Sequence, residues 1–383
     1  MSETVLIVTV NSGSTSIKLG AFECAARGAR PAGAPLEIAA VRHEGTHLDP
    51  AGELEGFLKQ LPDRPAALAH RVVHGADRYT HAVRIDAAVR RGIGEVAVLA
   101  PLHNPLALRW IDAGTALCGV EVAQIAVFDT AFYATLPAVA AEYALPSGLG
   151  RDVGVRRYGF HGLAHEAMWR RWCELNPGLP DGGRLISLQL GGGCSITATD
   201  GGRARDTSMG FSPLEGLVMA TRSGDIDAAV VPYLTERLGI APHRLIESFN
   251  RESGLLGVGG RSNPAELLAE DSARARLAVD LYCYRIGKYI GAYLTVLGGC
   301  DGVVFGGGVG EHVPQVRARA LAGLHWAGIE LDPAANAAAC GSDARISPAG
   351  GRVAVWTVTV AEEPIMVRET LSVLGDTAPK ART

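Results

Sequence analysis

The residues that could do chemistry are few and spread along the chain. The segment 206–227 carries Asp206, Glu215, Arg222, Asp225 and Asp227, and its apolar residues keep no period of 2 or 3.6. Pro213, Gly210, Gly216 and Gly224 interrupt it. It is too apolar for disorder and long for a passive connection. Arg222 presented there would meet an anion; the same charges would also suit helix capping in an irregular core crossing. Arg71 sits inside the apolar run 66–73, where a guanidinium pairs with a buried acid or meets a ligand anion. Asp129 follows the apolar run 123–128, where α/β proteins place ligands beyond strand ends, although a helix cap would use the same residue. His161 and His165 stand four apart at an expected helix start; one would face a site, the other would be a buried hydrogen-bonding residue. His103 precedes a helix expected over 105–117, with Asn104 as its cap, at a terminus suited to an anion. Glu362 and Glu363 open the last helix as dipole partners or Mg2+ ligands. His70 and His74 have metal-ligand spacing for a helix, but Val72-Val73 favours strand and so disfavours a metal.

These side chains need a frame of some size. The chain has 383 residues, about half of them hydrophobic, which favours two domains. A net charge of −4 without a basic block disfavours nucleic acid as a partner. No apolar run reaches membrane-spanning length, and Met1-Ser-Glu-Thr lacks a basic signal-peptide start. The seven cysteines are odd in number, dispersed and without a C-x-x-C pair, which suits reduced thiols in the cytoplasm. Residues 24–64 are rich in Ala, Pro and Gly and read as variable surface.

The 48 glycines cluster after apolar runs. Val5–Val10 is a buried-strand pattern, followed by Asn11-Ser-Gly-Ser-Thr-Ser16 and the alternating return strand 17–22. Such a turn exposes backbone N–H groups; with Ser14, Thr15, Ser16 and Lys18 it suits phosphate, or it is an ordinary hairpin. About 180 residues later the unit recurs: strand 185–190, Gly191-Gly-Gly-Cys-Ser195, strand 196–199. A repeat of that size implies two similarly folded halves. A third glycine turn, 303–311, follows a strand, precedes a helix expected over 313–324, and suits close backbone approach to a nucleotide. Helices are also expected over 163–175, where Trp169 and Trp172 would pack, and over 273–298, with a strand over 353–360 and a fraying tail from Asp376.

Duplicated halves with these turns resemble the actin/Hsp70/sugar-kinase (ASKHA) superfamily. Within it the chain resembles acetate kinase and related short-chain carboxylate kinases from Val5 to about Leu374. The resemblance rests on Val10-Asn-Ser-Gly-Ser-Thr-Ser-Ile-Lys18, His70-Arg-Val-Val-His-Gly75, Ala100-Pro-Leu-His-Asn-Pro105, Val127-Phe-Asp-Thr-Ala-Phe132, Arg157-Tyr-Gly-Phe-His-Gly162 and the segment 206–227. It implies an α/β fold of two duplicated actin-like, ribonuclease H-like domains with a cleft between them. The first would be 1–130 plus 364–383; the second, 131–363, would carry the nucleotide side and the interface of a homodimer. It implies ATP + acetate ⇌ ADP + acetyl phosphate with Mg2+ or Mn2+. Arg71 and Arg222 would hold the carboxylate and the transferring phosphoryl group, His161 would stabilise the transition state, and Asp129 would act at the phosphoryl centre. Asn11 and Glu362 match metal-linked positions, and Lys18 the phosphate side. His165 matches a structural histidine. Val73, Leu102, Phe160 and Pro213 match an apolar pocket around the acetate methyl, with His103 beside it. Gln189, Leu190, Gly191, Gly192, Gly193, Gly308, Val309, Gly310, Glu311 and His312 match the nucleotide side.

The chain departs from the family pattern mainly on that donor side. Gln189-Leu-Gly-Gly-Gly193 stands where His-Leu-Gly-Asn-Gly is usual, Pro264-Ala-Glu266 where Asp-x-Arg is common, His312 where Asn is usual, and Tyr133 where His is common. Gln189 donates a hydrogen bond but carries no charge. Weaker or altered nucleotide use is therefore expected, up to another donor such as pyrophosphate. The competing functions are a propionate kinase, a sugar kinase of the superfamily and a non-catalytic nucleotide- or metabolite-binding regulator.

Overall fold

A computed structural model describes residues 4–13, 16–25, 35–45, 49–101 and 103–376. The chain divides into two compact units, Met1–Ala134 with Ala361–Thr383, and Thr135–Val360.

The first unit holds a six-stranded sheet. Its strands are β1 (Thr4–Ser12), β2 (Ser16–Ala25), β3 (Leu36–Glu44), β4 (Ala67–Val72), β5 (Val83–Arg84) and β6 (Ala123–Phe128), in the order β3-β2-β1-β4-β6-β5. β1 runs antiparallel to β2 and parallel to β4, which is parallel to β6. The second unit repeats this plan with β7 (Arg184–Leu190), β8 (Cys194–Asp200), β9 (Arg203–Thr207), β10 (Gly302–Gly306), β11 (Ala344–Arg345) and β12 (Ala354–Thr357). Its order, β11-β12-β10-β7-β8-β9, is the first sheet's order read from the other edge, with the same directions. The two sheets are thus duplicates in topology, as the paired glycine hairpins imply.

The strands form where β-branched and aliphatic residues are buried on both faces, as in Ile7, Val8, Val10 and Ile125. Residues 24–64 are not merely variable surface. They include β3 and a helix, Pro50–Leu58, capped by Asp49 and burying Leu54 and Phe57 against the sheet. The helical spacing of Leu54, Phe57 and Leu58 is the signal that composition alone hides. The helix expected over 105–117 is Asn104–Cys118, and Asn104 does not cap it. Its side chain instead accepts from His74 N and donates to His74 O, joining the helix start to the loop after β4. The helix expected over 313–324 is Pro314–Leu321, and a separate short helix, Gly307–His312, occupies the end of the third glycine turn; Pro314 has no N–H to continue it. Residues 162–175 and 273–297 are helical, and Trp172 is buried with Met168, Leu185 and Val304.

Candidate active site

In the first unit, parallel pairing puts the C-terminal ends of β1, β4 and β6 side by side, so Asn11, Arg71 and Asp129 emerge together. Arg71 donates from Nε and Nη2 to the Asp129 carboxylate at 3.1 and 2.7 Å, and from Nη1 to Asn11 Oδ1 at 3.3 Å. The last helix, Glu363–Asp376, packs on the same strands and delivers two further acids. Asn11 Nδ2 donates to Glu362 at 2.8 Å and to Glu363 at 2.9 Å, and Arg71 Nη1 lies 3.6 Å from Glu362. Lys18 does not stand apart on a phosphate turn: its Nζ is 2.9 Å from Glu363, which is buried.

Burial alone would lower the Arg71 guanidinium, but Asp129, Glu362 and Glu363 outweigh it and hold the group firmly protonated. Glu362 is raised above the ordinary carboxylate range, first by burial and then by the Asp129 and Glu363 charges, against the opposing pull of Arg71 and Asn11. Three carboxylates therefore share two cations, Arg71 and Lys18.

His70 lies in β4, bonded to Gln124 at 2.7 Å, and His74 Nδ1 accepts from Ala76 N at 2.9 Å. Burial lowers each to about 4. Val73 is buried and His103 half-buried at the start of the Asn104–Cys118 helix. Leu102, Ser14 and Thr15 lie outside the described residues.

In the second unit, the acids of the opening segment have partners. Glu215 accepts from Arg157 at 2.7 Å and from Tyr143; Asp225 accepts from Gly216 N and Tyr289, both at 2.8 Å. Asp227 accepts from Ala229 N at 2.8 Å, and Asp206 lies 4.0 Å from Arg157. Arg222 has no acid among the described residues. Its Nη1 reaches only Pro213 O at 3.1 Å and Met219 Sδ at 3.7 Å, and burial lowers its pKa.

Gly193 shows what Arg222 faces. A Cβ on Gly193 would stand 3.4 Å from Arg222 Nη1 and 3.3 Å from His161 Nε2, so both side chains converge on one bare stretch of backbone. His161 is held there in the left-handed region, at φ 58°, immediately before the helix Gly162–Leu175. A non-glycine residue in that region costs on the order of 1–3 kcal/mol, a strain that clusters at functional sites. Phe160, its buried neighbour, and Pro213, which accepts from Arg222, belong to the same unit.

The model of the acetokinase family matches residues 53–368. The chain belongs to the acetokinase family. An acetate kinase of Chloroherpeton thalassium is 44% identical over 310 residues, covering 79% of this chain and 74% of that one. The solved acetate kinase of Porphyromonas gingivalis superposes with a TM-score of 0.82 at 33% identity, covering 97% of this chain and 100% of that chain. A propionate kinase from Francisella tularensis superposes with a TM-score of 0.83 at 30% identity, covering 95% and 98%.

On the expected nucleotide side of this acetokinase-family chain, the pairing Gln189↔Gly306 brings the turn 191–193 beside the helix Gly307–His312, which carries Gly308, Val309 and Gly310. Leu190 is fully buried. The Gln189 Oε1 atom is buried without a hydrogen-bond partner among the described residues. Glu311 turns inward: its Oε1 accepts from Gly307 N at 3.0 Å and Val360 N at 3.3 Å. His312 Nδ1 lies 3.4 Å from Cys340 Sγ. Tyr133 is buried in the first unit. Glu266 lies on an exposed helix turn, 3.4 Å from Arg261.

Three structural roles escaped the sequence. Glu363 was visible only as a helix-start acid, not as the partner of Asn11 and Lys18. Gly192 and Gly193 read as a phosphate turn, without the contact that Gly193 allows between His161 and Arg222. Arg317, fully buried, donates to the carbonyls of Gly310, Glu311, Asn336 and Ala339 and so fixes the end of the glycine-turn helix; nothing in its surroundings marks it.

Proposed function

We propose that the chain transfers a phosphoryl group to a short-chain carboxylate, with acetate as acceptor and ATP as donor: ATP + acetate ⇌ ADP + acetyl phosphate. One observation carries the reading: Arg222, without an acid partner among the described residues, shares the bare backbone at Gly193 with His161. A carboxylate is already ionised at pH 7, so the reaction needs positive charge and alignment more than a base. The acetate oxygen attacks the terminal phosphorus, the bond to the ADP oxygen breaks, and no proton has to move. Arg222 and His161 would donate to the charge that builds on the phosphoryl oxygens. Arg71, held in plane by Asp129, would bind the acceptor carboxylate. Val73, Leu102, Phe160 and Pro213 would offer apolar surface to the acetate methyl, as the family resemblance implies.

The first-unit acids suit Mg2+ or Mn2+. Asn11, Asp129 and Glu362 offer hard oxygen donors, and the acids outnumber their cations. Among the described residues no three His, Cys, Asp or Glu side chains converge on one point. That pattern suits an ion bound by one or two carboxylates, with water and phosphate as its other ligands. When bound, the metal would neutralise phosphate charge. The nucleotide is assigned to the glycine turns of the second unit, and the same unit to a homodimer interface, as the family resemblance implies. Among the described residues no helix is long and apolar enough to cross a membrane.

A hydroxamate assay across donors (ATP, GTP, CTP, pyrophosphate) and acceptors (acetate, propionate) tests the reading. No acyl phosphate from any pair would end it. The buried, partnerless Gln189 Oε1 favours a second reading, in which ATP binds weakly or another donor is used. Tight, ATP-selective kinetics would remove that reading. Propionate overlap is expected, since one methylene discriminates by only ~1–3 kcal/mol.

A further inference from the structure

Ser187, His165 and Ser195 form a buried chain of hydrogen bonds that ends on His161. Ser187 Oγ and His165 Nδ1 are 2.7 Å apart, His165 Nε2 and Ser195 Oγ 2.8 Å, and Ser195 Oγ and His161 Nδ1 2.9 Å. Ser187, His165 and Ser195 are fully buried. We propose that this relay holds His161 as a neutral imidazole with its proton on Nε2, on the ring edge that faces Gly193 and Arg222.

The argument is a count of protons. Each hydroxyl has one, and His165 has one, because burial lowers it to about 3. The only hydrogen-bond partner of the Ser187 hydroxyl among the described residues is His165 Nδ1. When Ser187 donates, His165 carries its proton on Nε2 and donates to Ser195. Ser195 then donates to His161 Nδ1, which leaves the proton of His161 on Nε2. The reverse order strands the Ser187 proton in a buried place without an acceptor, the costly outcome for a polar group. An imidazolium at His161 would need Nδ1–H, and so either the reverse order or a Ser195 hydroxyl that accepts from both rings and leaves its own proton without an acceptor among the described residues. The relay thus sets the tautomer and opposes protonation together.

The neighbouring cation acts in the same sense. Arg222, on the Gly193 side, disfavours a second positive charge. His165 is neutral, and the Cys194 thiol beside the turn is pushed up to about 11 by burial. His161 would then present one fixed donor, Nε2–H, through the range in which an ordinary histidine titrates, near 6.5. Ser187, His165 and Ser195 are positioning residues for that donor. Its catalytic use rests on the carboxylate kinase reading; the tautomer does not.

The test is two-bond 1H–15N correlation on the full chain labelled with 15N-histidine, with the His161 signal assigned by its loss in His161→Gln. The expected wild-type signal is a neutral Nε2–H ring at pH 7, still neutral about one unit below the ordinary histidine value of 6.5. Ser187→Ala removes the bias, so the His161 titration should rise by about one unit and the Nδ1–H form should appear. Ser187→Thr keeps the hydroxyl and should restore the wild-type pattern. A wild-type His161 seen as Nδ1–H, or as imidazolium at pH 7, overturns the proposal however the variants fold. An unchanged titration in folded Ser187→Ala overturns it too. Either failure leaves the kinase reading standing, whereas an intact relay in a chain that phosphorylates no carboxylate would sink that reading alone.

Discussion

Arg71 and Asp129 form a two-pronged ion pair between neighbouring strand ends, with the carboxylate 1% exposed and the guanidinium 12%. The pair fixes the plane of the guanidinium, while Nη1 extends to Asn11 and toward Glu362. Removing Asp129 breaks a buried pair, at a cost of up to about 3–5 kcal/mol, moderated because Glu362 still lies 3.6 Å from Arg71. Asp129→Ala should therefore lower the unfolding midpoint in urea as well as activity. A variant as stable as the parent would show that the pair carries no such cost.

Arg222 has no acid partner among the described residues, so its removal should separate activity from stability. Arg222→Ala is expected to lower the rate constant at least 10²–10³-fold, about 3–4 kcal/mol, by analogy with a lost oxyanion donor. The urea midpoint should hold or rise, because a half-buried cation without an acid is removed. Steady-state kinetics with a near-parental rate constant would sink the assignment.

Gly193 is where His161 and Arg222 meet. In Gly193→Ala the added Cβ stands 3.2 Å from His161 Cε1, closer than ordinary contact. A displacement of tenths of an ångström to 1 Å is expected to cost up to about 10²-fold in rate. The fold should survive, since Gly193 is not in the left-handed region. Parental activity in a folded Gly193→Ala protein would mean that the spacing has no catalytic weight.

The buried histidines predict acid lability. His70 and His74 are lowered to about 4 and His165 to about 3, all by burial. The unfolded chain protonates these rings near 6.5, so below that value it binds more protons than the folded chain. Stability is greatest above about 6.5 and is lost as pH falls toward 4, by at most roughly 3 kcal/mol per ring. Urea midpoints between pH 7 and 4.5 check this; a flat series to pH 5 would contradict it.

Metal dependence should track Glu362. Glu362→Gln is expected to weaken Mg2+ activation, raising the metal concentration for half-maximal rate at least 10-fold, on the order of 1.4 kcal/mol, while removing charge from an acid-rich cluster. Titration of activity with Mg2+ measures it, and an unchanged requirement would move the metal elsewhere.

Local pattern alone determined much of this protein. The runs around Val8, Ile125 and Ile186 could only be buried strands, and two glycine hairpins half a chain apart required duplicated units. Arg71, Asp129, His161 and Arg222 stood out as charged or titratable residues in apolar or glycine-broken runs, although helix capping or buried pairing could also have used them. Which charges were spoken for was decided by tertiary structure. Glu215 finds Arg157, Asp225 finds Tyr289, and Lys18 and Asn11 find Glu363, each across tens to hundreds of residues of sequence. A hydrogen bond depends on ångström distances set by sheet register and helix packing, and no spacing rule along the chain carries that information. Arg222 without an acid, and His161 with Ser195 behind it, could therefore be recognised only once the strands had been brought into register.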